Sequence, residues 1–126
     1  MGKEYLIDTN SVIDYLDNKL PDNANELIDG IDAKISVITR MELLAWPGAN
    51  EQQTLILNEF INASEVLDLE EPVILKAIEI RKARKTKLPD AIIAATALVN
   101  KLTIITRNTK DFDKIEGLEV LNPYSI

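Results

Sequence analysis

The chain has 126 residues, of which 46% are hydrophobic and 28% charged, with a formal net charge of −7. This balance fits one folded domain over 1–126 and excludes a disordered tail, and no apolar run nears the roughly 20 residues that a membrane span needs. The absence of cysteine and histidine excludes a disulfide framework, thiol catalysis and imidazole chemistry, so any reaction falls to the carboxylates.

Lys3–Asp8 reads as a buried strand that stops at an acid. A helix is expected over Ser11–Asp17, with Val12, Ile13 and Leu16 as its apolar stripe. Pro21 suits a helix first turn and opens a short segment through Ile31. Lys34–Val37 is a second strand. Ile38–Trp46 is expected to be helical, with Thr39 a candidate cap and Pro47-Gly48 the stop. Gln52–Ala63 predicts a longer helix and Glu65–Leu69 a third strand. Pro72 starts a helix through about Lys85, with Val73, Ala77 and Ile80 on one face and Ile74 and Ile78 beside them. After Leu88-Pro89, the alanine-rich run Asp90–Lys101 is a helix fit for the core. Thr103–Thr106 and Leu118–Leu121 complete five strands. Strands alternating with helices predict a parallel sheet covered on both faces, with its site at the carboxyl ends of the strands.

Four acids lie at element ends or on helix faces that point to this edge. Asp8 ends the first strand, although a turn or helix-capping role would also account for it. Glu42 shares a helical face with Ile38 and Ala45; an acid in such an apolar stripe either reaches solvent past its neighbours or, if buried, needs a partner, for which a metal ion is suitable. Asp90 follows Pro89 at the head of the apolar helix, where the helix dipole favours negative charge. Asp111 sits in a polar loop after the fourth strand, with Thr106 and Asn108 close enough in sequence to support it. Carboxylates that gather without a thiol or an imidazole point to a hard metal ion. Residues 81–87 carry five basic side chains and no acid. Arg81, Lys82, Arg84, Lys85 and Lys87, with Arg107 and Lys110, are candidate phosphate contacts on an otherwise acidic body; a solvated helix end explains the run equally well.

Asp8-Thr9-Asn10, Ile35–Leu43, Leu88–Ala97 and Thr106–Phe112, in this order and spacing, resemble the PIN-domain nucleases, and among them the VapC-type toxins of bacterial toxin–antitoxin pairs. The resemblance spans almost the whole chain. It implies a three-layer sandwich in which a five-stranded parallel sheet carries helices on both faces. It also implies an acidic pocket that binds Mg²⁺ or Mn²⁺ through Asp8, Glu42, Asp90 and Asp111, supported by Thr106 and Asn10. Where many relatives have an acid two residues after the threonine, this chain has Asn108, so either Asp111 or Asn108 completes the site. The implied partners are an RNA substrate, a small antitoxin protein and a second copy of the chain; Leu43, Leu44 and Trp46 are candidates for the self-contact, against an ordinary place in the core.

Two other readings remain at this stage. A receiver-like phosphoacceptor domain shares the fold class, but it needs a lysine near the last strand, and Leu118–Leu121 has none. A non-catalytic interaction module would use the acids only to neutralise a partner. The start of the chain, Met1-Gly2-Lys3-Glu4, lacks a signal peptide's apolar region, so the cytoplasm is the expected location.

Overall fold

Strands of only two or three residues at the centre of the molecule set the positions of everything else. The structure, a computed structural model, describes residues 2–126. Tyr5–Ile7 forms β1, Lys34–Ser36 β2, Glu65–Leu67 β3, Thr103–Ile105 β4 and Val120–Leu121 β5. β4 pairs in parallel with β1 on one side and β5 on the other, and β2 pairs in parallel with β3. Every pairing is therefore parallel, as expected, but the strands form ladders of three and two rather than one five-stranded ladder. β2 lies close beside β1. Strands this short make few ladder bonds each, and side-chain packing of Ile7, Ile35 and Ile105 in one cluster joins the two ladders.

The helices are α1 (Thr9–Leu16), α2 (Asp22–Asp29), α3 (Val37–Leu44), α4 (Glu51–Ala63), α5 (Glu71–Ala83) and α6 (Leu88–Asn100). Strand side chains alternate between two cores, as a period of two requires. Leu6 and Ile104 face α5 and α6, packing with Val73, Ala77, Ile80, Ile93 and Phe112. Ile7 and Ile105 face the opposite way, against Val12, Ala24, Ile28, Leu43, Leu57 and Ile61 of the first four helices. Helices thus cover both faces. Ala91, Ala94, Ala95 and Ala97 are fully buried, and these small side chains let α5 and α6 pack closely.

Helix boundaries correct the sequence reading at two caps. α1 begins two residues earlier than expected, because Asp8 itself is its N-cap and accepts from the Thr9 amide. α3 is capped by Ser36 rather than Thr39; Thr39 lies one turn later and is fully buried. Of the three side chains considered for self-contact, Leu43 belongs to the core, while Leu44 and Trp46 are exposed. No helix among the described residues is long and apolar enough to cross a membrane.

Candidate active site

The parallel pairing of β1 with β4 brings Asp8 and Thr106, 98 residues apart, to adjacent strand ends. The Thr106 hydroxyl donates to Asp8 Oδ2 at 2.8 Å. Asn10 Nδ2 donates to the same oxygen at 3.0 Å, and the Thr9 amide donates to Oδ1 at 2.8 Å. Asp8 is only 5% exposed. Burial raises its pKa, the bonds from Thr106 and Thr9 oppose that, and the nearby charge of Glu42 raises it further. A buried carboxylate fixed by three donors has one orientation, which suits a ligand position.

Asp8, Glu42 and Asp90 line one open cleft of about 290 Å³, together with Thr9, Asn10, Ile13, Arg107 and Asn108. Glu42 takes the solvent-facing alternative. It is exposed at the cleft rim rather than enclosed in an apolar stripe, and its Oε1 accepts from the Thr9 hydroxyl at 2.6 Å. That hydroxyl also lies 3.1 Å from the Thr39 hydroxyl. With its single proton given to Glu42, Thr9 accepts from Thr39. A hydroxyl chain therefore runs from the buried wall to the rim carboxylate.

Asp90 stands in the first turn of α6. Its pKa is raised to about 6, first by burial and then by the charges of Asp111, Asp8 and Glu42, with Lys87 acting in the opposite sense. The four acids thus feel one another at the same end of the molecule. Asp111 closes a short 3-10 helix, Thr109–Asp111, and lies with Asp90 in a neighbouring groove of about 360 Å³. Asn108 is in the cleft proper, and its backbone N–H donates to Thr106 Oγ1 at 3.1 Å.

Among the described residues, no three acids stand close enough to enclose an ion as they lie; Asp8, Glu42 and Asp90 face one another across a cleft. The donor set nevertheless fits a hard divalent ion. It is all oxygen and predominantly anionic, and Asp90 is held off its ordinary pKa first by burial and then by neighbouring charges that a cation would offset.

Apart from Arg107, which lines the cleft itself, the basic residues divide into two groups. Arg84, Lys85, Lys87 and Lys110, joined by Lys114, line the groove beside Asp90 and Asp111. Arg81 and Lys82 lie apart, on the last turn of α5, beside an apolar hollow formed with Leu69, Ile74, Ile78, Leu88 and Ile92. The helix runs on to Ala83, and only the extended Arg84 turns the chain toward the acids. Sequence reasoning missed Lys114, the Thr39–Thr9–Glu42 chain and Asp14, a buried acid one helical turn after Asn10. That i, i+4 spacing was the only local signal for Asp14.

The sequence profile of the PIN domain family matches residues 5–118. The chain is 28% identical to the tRNA(fMet)-specific endonuclease VapC of Salmonella typhimurium, over 93% of this chain and 96% of that protein. Its fold is similar to that of a chain in a toxin–antitoxin complex from Klebsiella pneumoniae, with a TM-score of 0.78 and 33% identity, covering 98% of this chain and 100% of that one. It is also similar to a chain of DNA-bound VapBC from Salmonella typhimurium, with a TM-score of 0.82 and 28% identity, covering 95% and 98% of the two chains.

Proposed function

The chain belongs to the PIN domain family, and from that premise we propose that it is a metal-dependent endoribonuclease, a VapC-like toxin of a toxin–antitoxin pair. The convergence of Asp8, Glu42 and Asp90 on one cleft, with Asp111 within electrostatic reach, is the observation that carries this reading. A receiver-like domain falls with the family assignment.

Asp8 and Asp90 are the principal residues to hold Mg²⁺ or Mn²⁺, with Glu42, Asp111 and Asn108 completing the oxygen set. When bound, such an ion supplies charge neutralisation at the phosphate and makes attack by water on phosphorus feasible at neutral pH. The chain's own residues prepare for that. Thr106, Asn10 and the Thr9 amide fix the Asp8 carboxylate, and Thr9 fixes Glu42. The groove lined by Arg84, Lys85, Lys87, Lys110 and Lys114 carries the RNA strand past Asp90 and Asp111 by its phosphates.

The substrate class is structured or single-stranded RNA, and tRNA is the first to test, given the activity named for the Salmonella relative. A small antitoxin protein is the proposed regulator, since solved relatives are complexes of this kind. The proposal includes one nuclease domain over 1–126, a homodimer using the exposed Leu44 and Trp46, and action in the cytoplasm. The test is direct. Purified protein and its Asp8→Asn and Asp90→Asn variants are incubated with total tRNA, with Mn²⁺ or with a chelator. Cleavage is expected only from the unaltered chain with Mn²⁺, and cleavage by either variant or in chelator would overturn the reading.

A further inference from the structure

Arg107 is the only cationic side chain among the residues that line the acidic cleft, within the described residues. Its ion pair, however, is with none of the cleft's acids. Nη1 donates to Asp14 Oδ2 at 2.8 Å, and the Tyr124 hydroxyl donates to the same oxygen at 2.8 Å. Asp14 is 2% exposed, whereas the Arg107 side chain is 50% exposed. The base of the arginine is held as well, since its backbone amide donates to Asn10 Oδ1 at 3.2 Å. Asn10 and Asp14 lie one turn apart on α1, so a single helix face grips Arg107 at both ends. Tyr124 comes from the C-terminal 3-10 helix Pro123–Ser125. Its pKa is raised chiefly by the bond to Asp14, which keeps the phenol protonated and donating.

Two attractions compete for this guanidinium. The cleft offers three carboxylates, and an arginine lying among them would occupy the place of a divalent ion. Asp14 offers a buried carboxylate, and leaving such a group unpaired is strongly unfavourable. The observed pairing shows which attraction prevails. It uses Nη1 on a side chain that is half exposed, and a guanidinium has further N–H donors with which to bind a phosphate.

We propose that Asp14 and Tyr124 are positioning residues for Arg107, holding its guanidinium at the cleft rim, presented to an RNA phosphate and kept off the cleft acids. The proposal rests on the nuclease reading above and extends it with residues outside the acidic set. Arg107 binds substrate, and Asp14 and Tyr124 act through Arg107.

The test uses Asp14→Asn, Tyr124→Phe, Arg107→Ala and the Asp14→Asn/Arg107→Ala double variant. Mn²⁺ affinity is measured by calorimetry without RNA, and KM and kcat on total tRNA at saturating Mn²⁺. Arg107→Ala should leave Mn²⁺ affinity unchanged or tighter and raise KM about tenfold, the effect of removing one charge-assisted bond. Asp14→Asn should weaken Mn²⁺ binding about tenfold as Arg107 turns inward, and the double variant should recover it. Tyr124→Phe should shift Mn²⁺ affinity the same way by a smaller factor, and it remains informative if Asp14→Asn fails to fold. Weakening that persists in the double variant, or an unchanged KM in Arg107→Ala, would overturn the proposal. A wild-type chain without Asp8-dependent Mn²⁺ uptake would instead remove the nuclease reading itself.

Discussion

Asp90 carries a carboxyl whose pKa is pushed up to about 6 by burial and by three neighbouring acids. A carboxyl raised in the folded state keeps a proton that the unfolded chain has already released. Its ionisation therefore lowers stability as pH climbs from about 4 to about 6, and the full penalty is present above that range. A shift of this size is worth roughly 3 kcal/mol if undiminished; because the side chain is partly open to solvent, screening leaves about 1 kcal/mol. Asp90→Asn in chelator should then melt a few degrees higher than wild type at pH 7.5, with the gain gone near pH 4, as followed by circular dichroism. Equal melting at pH 7.5 would mean that the acids do not strain one another. A gain in stability with a loss of cleavage is the expected exchange at a site built from like charges. Glu42 illustrates a different arrangement at the same scale: it sits at the exposed rim, and Thr9 supplies its orientation.

At the scale of elements, the site is assembled from helix starts at the carboxyl ends of strands. β1 runs into α1 through Asp8, which caps the helix and faces the cleft at once. β2 runs into α3 through Ser36, which sets the helix that carries Glu42. α6 holds Asp90 in its first turn because its alanine-rich body is locked in the core. Ala94→Leu should overpack that body, with a loss of about 1–3 kcal/mol and a displaced Asp90; urea denaturation should show the first and tRNA cleavage the second. α4 provides the control. Asn50 caps it in a reciprocal capping box with Gln53, and no residue of α4 lines the cleft. Asn50→Ala should cost about 1 kcal/mol in the same denaturation and leave cleavage per folded molecule unchanged. A fall in cleavage there would show that α4 reaches the site.

For the whole molecule, the uneven charge matters most. On a body of net charge −7, the groove lined by Arg84, Lys85, Lys87, Lys110 and Lys114 gathers five cations in one place. Lys85→Glu and Lys114→Glu should each weaken RNA binding several-fold at low salt and reduce the slope of log affinity against log salt by about 0.7 for each phosphate no longer neutralised. Filter binding at several salt concentrations measures both, and an unchanged slope would place the strand elsewhere. Much of this organisation is legible in the chain read alone. Proline and glycine positions, apolar periodicity and the runs that stop at acids are local features, and they yield the order of strands and helices, the parallel topology and the four acids. Helix starts were less legible, because Asp8 and Ser36 compete with equally good neighbours for the capping role and only strand length decides between them. The tertiary structure alone decided which side chains meet: Thr106 with Asp8, Arg107 with Asp14, and Tyr124 with Asp14, across 98, 93 and 110 residues. It also decided that Glu42 stands at the rim and that Arg81 and Lys82 line a separate hollow rather than the groove beside the acids. The physical reason is that turns, caps and periodicity arise between residues a few positions apart, whereas these contacts exist only after β4 has paired beside β1 and drawn the two ends of the chain together.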